Sequence, residues 1–296
     1  MSFNKNLNYV HLSKYFYTAS IILTIAGIIC LSLFGLNYSV DFKAGSNVDI
    51  SLSKVITADQ VKPILKKIGA EDGVISAGND RLTIRFPVTL SEDSDKQLKE
   101  EILKLDDKAS FEVNTVDPEM AKELARNAMW SVLFASIGII IYVSIRFEWR
   151  FAIAAIVALL HDAFLVISVF SLLRLEVDLT FITAVLTIIG YSINDTIVIF
   201  DRIRENLRFG KQKTRQDLIN LVNHSIAQTI MRSIYTALTV FVAAFFLFLL
   251  GGESIRMFSL AMVIGLLFGA YSSIFIASPL WFVLKSRQKN KTAKAA

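Results

Sequence analysis

Gly190-Tyr191-Ser192-Ile193-Asn194-Asp195-Thr196-Ile197-Val198-Ile199-Phe200 continues into Asp201-Arg202-Ile203-Arg204-Glu205-Asn206. It places one carboxylate, Asp195, inside a membrane-type apolar run and closes that run with a dense box of charge. A carboxylate at membrane depth costs roughly 2.5–3.5 kcal/mol on insertion scales and is usually retained for a proton or ion pathway. Asp195 sits six residues before Asp201, about 9 Å along a helix. That depth is below the headgroups and short of the midplane.

The surrounding chain fits a bilayer. Of its 296 residues 54% are hydrophobic, and the mean hydropathy is +0.52. Soluble domains run at about 45–50% apolar, and a span needs about 20 apolar residues. Six blocks qualify: Tyr15–Leu36, Asn127–Ile145, Phe151–Leu173, Leu179–Phe200, Ser233–Gly252 and Met257–Leu284. With their flanks they predict membrane helices over 15–36, 124–146, 151–173, 179–200, 225–252 and 257–284. The first block is longer than a signal h-region and lacks an A-x-A exit, so it reads as a retained anchor. The one cysteine, Cys30, excludes an intrachain disulfide and a Cys-rich metal site.

Positive charge orients the spans. Lys5 and Lys14 lie in the N-terminal segment 1–14, and Arg146 and Arg150 flank the second–third link. Arg202, Arg204, Arg208, Lys211, Lys213 and Arg215 lie in the loop expected over 201–224. Lys285, Arg287, Lys289, Lys291 and Lys294 lie in the tail 285–296. Six crossings put all four segments on one side, giving N-in and C-in. The remaining large segment, 37–123, falls outside with 12 Lys+Arg against 17 Asp+Glu, a net of −5 within a chain of +5. The basic balance therefore belongs to loops beside anionic lipid rather than to a nucleic-acid surface.

The outside segment alternates as β-α-β-β-α-β. Strands are expected over Asn47–Val55, Gly73–Ser76, Arg81–Phe86 and Ser110–Val116, with helices from Thr57 to about Ile68 and over Ser91–Leu105. Thr57-Ala58-Asp59-Gln60 resembles a capping box, Pro63 implies a kink, and Ala77-Gly78-Asn79-Asp80 reads as a turn. This order is the split βαβ, ferredoxin-like arrangement. It carries no phosphate loop, His/Cys cluster or evident nucleophile, so it reads as a binding or gating module.

The intramembrane polar residues carry the candidate chemistry. Apolar residues run upstream of Arg232 from Leu218, so the fifth helix begins well before it and Arg232 lies inside the membrane. Antiparallel packing lets Arg232 meet Asp195 at matching depth. Burial favours the neutral acid and a nearby guanidinium favours the carboxylate. Movement of the arginine would therefore load or release a proton. A permanent salt bridge joining two helices is the alternative. His161-Asp162 lies midway along the third span. Adjacent positions point about 100° apart, so one is expected to face the polar interior and the other a neighbouring helix, as a relay or as a packed contact. An aspartyl protease would need paired carboxylates, and Arg232 would quench such a dyad. Gly265 and Gly269 form a G-x-x-x-G that permits close helix approach. Asp201 with Arg204 and Arg202 with Glu205 are spaced to pair at i,i+3, as a docking or gating element or a solvated face. There is no P-loop for ATP, and no metal or cofactor is expected.

The motif from Gly190 to Asn206 closely resembles the signature of the SecD–SecF family of protein-export membrane proteins, on its SecF side. Val40-Asp41-Phe42-Lys43-Ala44-Gly45 is similar to the family's Asp-Phe-x-Gly-Gly element. Glu148-Trp149-Arg150-Phe151, Leu160-His161-Asp162, and Arg232 with Thr236, Thr239 and Gly251-Gly252 also match. The resemblance implies half of a resistance-nodulation-division (RND) fold: six helices that pair with six from SecD, with the ferredoxin-like domain between helices one and two. It implies a non-enzymatic role, with proton flow helping to draw a preprotein outward across the bacterial inner membrane. Implied partners are SecD, the SecYEG channel, YajC and indirectly SecA. Asp195 and Arg232 become the proton-relay candidates, with Asn194, His161, Asp162 and Thr236 as supporting polar residues. Ala44 stands where the family usually has glycine, and Ala237 and Val240 replace small hydroxyl residues. The alternatives are half of an RND-type exporter of small molecules or lipids, against which the single small outside domain speaks, and a structural scaffold for SecD.

Overall fold

A computed structural model describes residues 7–78, 80–209 and 214–295. Lys5, Asn79 of the expected turn, and Lys211 and Lys213 lie outside the described residues, as do the side chains of Lys289, Lys291 and Lys294. The chain divides into two compact units, 38–131 and a membrane-type unit formed by 1–37 with 132–296.

A two-residue strand, β1 (Asn37–Tyr38), leads into the smaller unit, which opens with a four-residue helix, α2 (Val40–Lys43). It comprises β2 (Gly45–Ser51), α3 (Ala58–Lys67), β3 (Val74–Ala77), β4 (Arg81–Phe86), α4 (Glu92–Leu105) and β5 (Ser110–Val116). The four strands form one antiparallel sheet in the order β3-β4-β2-β5. That is the ferredoxin-like topology, with the first strand of the unit at the centre. Val48 and Ile50 of β2, Leu82, Ile84 and Phe86 of β4, and Leu98 and Ile102 of α4 close its core. The alternation that marks β2 and β4 as strands is the alternation that buries one face. Pro63 does not break α3. Its missing N–H leaves a carbonyl in the exposed first turn of the helix, where water can serve it. Gln60 reaches back to the Thr57 N–H at 2.9 Å.

Six helices among the described residues are long and apolar enough to span a membrane. They are α1 (Tyr9–Phe34), α5 (Pro118–Arg146), α6 (Trp149–Leu172), α7 (Leu179–Phe209), α8 (Arg215–Leu250), and a sixth formed by α9 (Glu253–Ser272), a π turn (Ser273–Ala277) and α10 (Ser278–Ala295). A two-residue strand, β6 (Glu176–Val177), precedes α7. The described residues 201–209 and 215–224 are helical and not the loop expected from their charge. α7 continues to Phe209 through i,i+3 ion pairs. α8 begins ten residues before 225 because Thr214 and Asp217 cap each other's backbone N–H, at 3.1 and 2.8 Å. The sixth span is likewise not one regular helix. Pro279 has no N–H and crowds the carbonyl four residues back, and the turn just before it widens to π geometry. Tyr17 of α1 donates to the Ile276 carbonyl in that turn at 2.8 Å.

α6, α7 and the sixth span form the interior, with 50%, 44% and 56% of their most apolar windows buried, against 11% in each of α1, α5 and α8. Two close approaches set their spacing. A Cβ on Gly265 would lie 2.3 Å from Ile188, and one on Gly27 would lie 2.2 Å from Ser168 Oγ.

Candidate intramembrane functional site

α7 presents three polar residues within about one turn, Ser192, Asp195 and Thr196, all buried. Ile188, Ile193 and Ile199 of the same helix are buried as well. Asp195 borders a cavity of about 20 Å³ lined by Tyr191, Ser192 and Asn194 of α7, Thr236 of α8 and Gly269 of α9. That space holds about one water molecule. Two expected supporting residues, Asn194 and Thr236, line the cavity that Asp195 borders.

Arg232 and Ser233 of α8 are the groups whose charge and hydroxyl act on Asp195. Among the described residues, however, no ion pair joins Asp195 to Arg232, whose side chain is exposed. Ser233 Oγ is buried and closes no hydrogen bond of full geometry. The carboxylate is therefore not held by a salt bridge to Arg232.

His161 and Asp162 on α6 do not part company, as their 100° separation predicts. The His161 ring turns so that Nδ1 lies 3.0 Å from Asp162 Oδ1. Asp162 is fully buried. Its Oδ2 accepts from Ser192 Oγ of α7 and Ser272 Oγ of α9, each at 2.6 Å. Nε2 of His161 lies 3.1 Å from Tyr271 Oη, which lies 3.2 Å from Ser20 Oγ of α1. Thr196 and Ser273 approach to 3.1 Å one turn further on. One polar network therefore ties α1, α6, α7 and α9 through the membrane-type interior.

Ser192, Ser272, Ser273, Tyr271 and Ser20 were not legible as site residues from spacing. Serine in an apolar helix normally satisfies its hydroxyl on the preceding turn, as Ser273 and Ser278 do here. The one available signal was Ser192 within the motif that carries Asp195.

The charge box forms at the end of α7. Asp201 pairs with Arg204 at 3.0 Å and with Arg146 of α5 at 3.3 Å, and Arg202 pairs with Glu205 at 2.6 Å. Arg202 Nε also donates to Gln228 of α8 at 2.6 Å. The box is thus a fastening between helices as well as a charged face. No group of three or more His, Cys, Asp or Glu side chains among the described residues is placed to hold a metal ion.

Residues 97–287, covering α7 to α9 and both halves of this site, match the family model described as protein export membrane protein SecD/SecF, C-terminal. The chain belongs to the SecD/SecF family. It is 47% identical to the protein translocase subunit SecF of Alicyclobacillus acidocaldarius, over 96% of this chain and 95% of that one. It is 45% identical to the protein translocase subunit SecDF of Bacillus subtilis, over 94% of this chain but 38% of the longer protein. The crystal structure of SecDF, described as a translocon-associated membrane protein, from Thermus thermophilus superposes with a TM-score of 0.85 at 34% identity, covering 95% of this chain and 39% of that one. This SecD/SecF member therefore matches nearly the whole length of that SecF chain, and about two fifths of the chains in which both names are joined.

Proposed function

We propose that the chain is a SecF-type subunit of the protein-export machinery, acting with a SecD-type partner to couple proton movement to late steps of preprotein translocation. The joined SecDF relatives support the partnership, since this chain matches only part of each. The observation that carries the coupling is the buried Asp195 beside a water-sized cavity, with Arg232 near but unpaired to it. A permanent bridge would hold the acid charged. Without one, a small helix movement can change how strongly the guanidinium favours the carboxylate, and a single water can carry the proton. Asn194 and Thr236 would order that water. The role is transport rather than catalysis of a covalent step.

The charge pattern favours a topology with both termini, the α5–α6 link and the α7–α8 connection on the cytoplasmic side of the inner membrane and the ferredoxin-like unit outside. In that setting SecYEG, YajC and, indirectly, SecA are the expected neighbours. The geometry gives no support to a pure scaffold held by an Asp195–Arg232 bridge.

The test is export in cells depleted of the native chain and complemented with wild type or Asp195→Asn at equal membrane abundance. Uncleaved secretory precursor should accumulate with Asp195→Asn. Normal export with that variant would remove Asp195 from the mechanism, and normal export on depletion itself would remove the chain from protein export.

A further inference from the structure

We infer that Asp162 is a positioning residue for Asp195: it holds α7 in the rotation that presents Asp195 to α8, and it passes any change in that rotation to the π turn of the sixth span. The inference rests on Asp195 being the working carboxylate. It assigns a task to a second buried acid that the relay itself does not use.

The hydrogen bonds have one consistent direction. Asp162 is fully buried among α6, α7 and α9. Two serine hydroxyls donate to Oδ2, each at 2.6 Å. His161 Nδ1–H then donates to Oδ1, which leaves Nε2 to accept from Tyr271 Oη–H, and Tyr271 in turn to accept from Ser20. Every donor points toward Asp162, which makes it the sink of the network.

The position of Ser192 turns this sink into a lever. Ser192 is three residues before Asp195, on the same face of α7, and both border the same cavity. α7 cannot rotate away from α8 without withdrawing Ser192 from Asp162. One turn earlier on α7, Ile188 lies against bare Gly265 of α9, where a Cβ would come within 2.3 Å of it. The second donor, Ser272, is the last residue of α9, and the π turn follows it directly. Turns of this kind have an alternative register nearby, because one extra residue separates them from a regular helix. A rotation of α7 that weakens the Ser192 bond thus reaches the residue on which that register change hinges. Tyr17 on α1, bonded to Ile276 inside the turn, carries it one helix further.

A purely structural network would hold the bundle together and leave the surroundings of Asp195 unchanged when trimmed. The two roles separate by probing Asp195 directly. Full-length chain in native membranes is treated with dicyclohexylcarbodiimide at fixed pH, and the rate of modification at Asp195 is read by peptide mass spectrometry, which resolves it from Asp162. Asp162→Asn and Ser192→Ala should each change that rate about five-fold, the size expected for a coupling of about 1 kcal/mol. Asp162→Asn/Ser192→Ala should change it no more than the larger single variant, because both act through one bond. Tyr17→Phe, which cuts the tie at the far end of the turn, should leave the rate within about two-fold. An unchanged rate in both single variants overturns the inference, and so do multiplying effects in the double. Should Asp162→Asn fail to accumulate, Ser192→Ala decides alone, since it removes one hydroxyl and leaves the carboxylate two donors. The outcome is independent of export. If Asp195→Asn exports normally while the cycle behaves as stated, the relay falls and the positioning contact stands.

Discussion

Ala44 shows what a single residue can cost. It ends α2 with φ 68° and ψ 164°, a region that is essentially glycine territory and costs other residues of order 1–3 kcal/mol. The next residue, Gly45, enters β2 at φ 124° with its α-carbon face against the Phe86 carbonyl, where a Cβ would lie 2.2 Å away. Ala44→Gly should therefore stabilise the smaller unit by about 1 kcal/mol, read as roughly five-fold greater hydrogen-exchange protection of the β2 amides. Protection that is unchanged or reduced would show that the backbone is not strained there. Asp106 is the opposite case, a buried side chain that is well served. The Ser53 hydroxyl, against the penalty of burial, and then the Ser53, Lys108 and Lys54 amides hold its carboxyl at about 2, below the ordinary 3.8. A depressed value means that the tie between the end of α4 and the Ser53-Lys54 loop is intact above about pH 4. It is lost as pH falls through about 2. Exchange at Ser53 and Lys54, corrected for the intrinsic rate, should accelerate over that interval in the wild type. In Asp106→Asn it should already be fast at neutral pH.

At the scale of elements, the contact of α7 with α9 controls the site. Gly265 and Gly269 were readable as a small-residue pair, but not which helix they would admit. The structure shows Ile188 of α7 seated on Gly265. Gly265→Ala must displace the whole Ile188 side chain, an overpacking cost of about 1–3 kcal/mol. Ile188→Ala should recover much of it in the double variant. Thermal unfolding of the detergent-solubilised chain would measure both. A Gly265→Ala variant as stable as the wild type would mean that α9 can retreat from α7 at no cost. The charge box makes the same point from sequence. Its i,i+3 spacing announced the pairs within α7, because they are local to one helix. It said nothing of Arg146 or Gln228, which reach Asp201 and Arg202 from other helices.

At the scale of the molecule, the exposed apolar faces of α1, α5 and α8 and the buried interior of α6, α7 and the sixth span mark which helices of this half are free to meet lipid or a second half. The orientation proposed from charge has a direct check. In intact cells with Cys30 replaced by Ala, Asp72→Cys should react with an impermeant maleimide. Arg208→Cys should react only after the membrane is opened. The reverse pattern would invert the topology and place the ferredoxin-like unit inside.

The sequence by itself determined the number of spans, their order, the ferredoxin-like unit, and the lone carboxylate on the fourth span. These depend on hydropathy, on periods of 2 and 3.6, and on local spacing, all of which are properties of neighbouring residues. Only the tertiary structure decided that Asp195 and Arg232 form no ion pair, that His161 bends back onto Asp162, and that two serines on different helices close on that acid. Those outcomes turn on helix rotation and on distances of a few tenths of an ångström between segments as many as 110 residues apart. A serine or an aspartate in an apolar run carries no mark of which neighbour will satisfy it, because hydrogen bonds are chosen after the helices have packed.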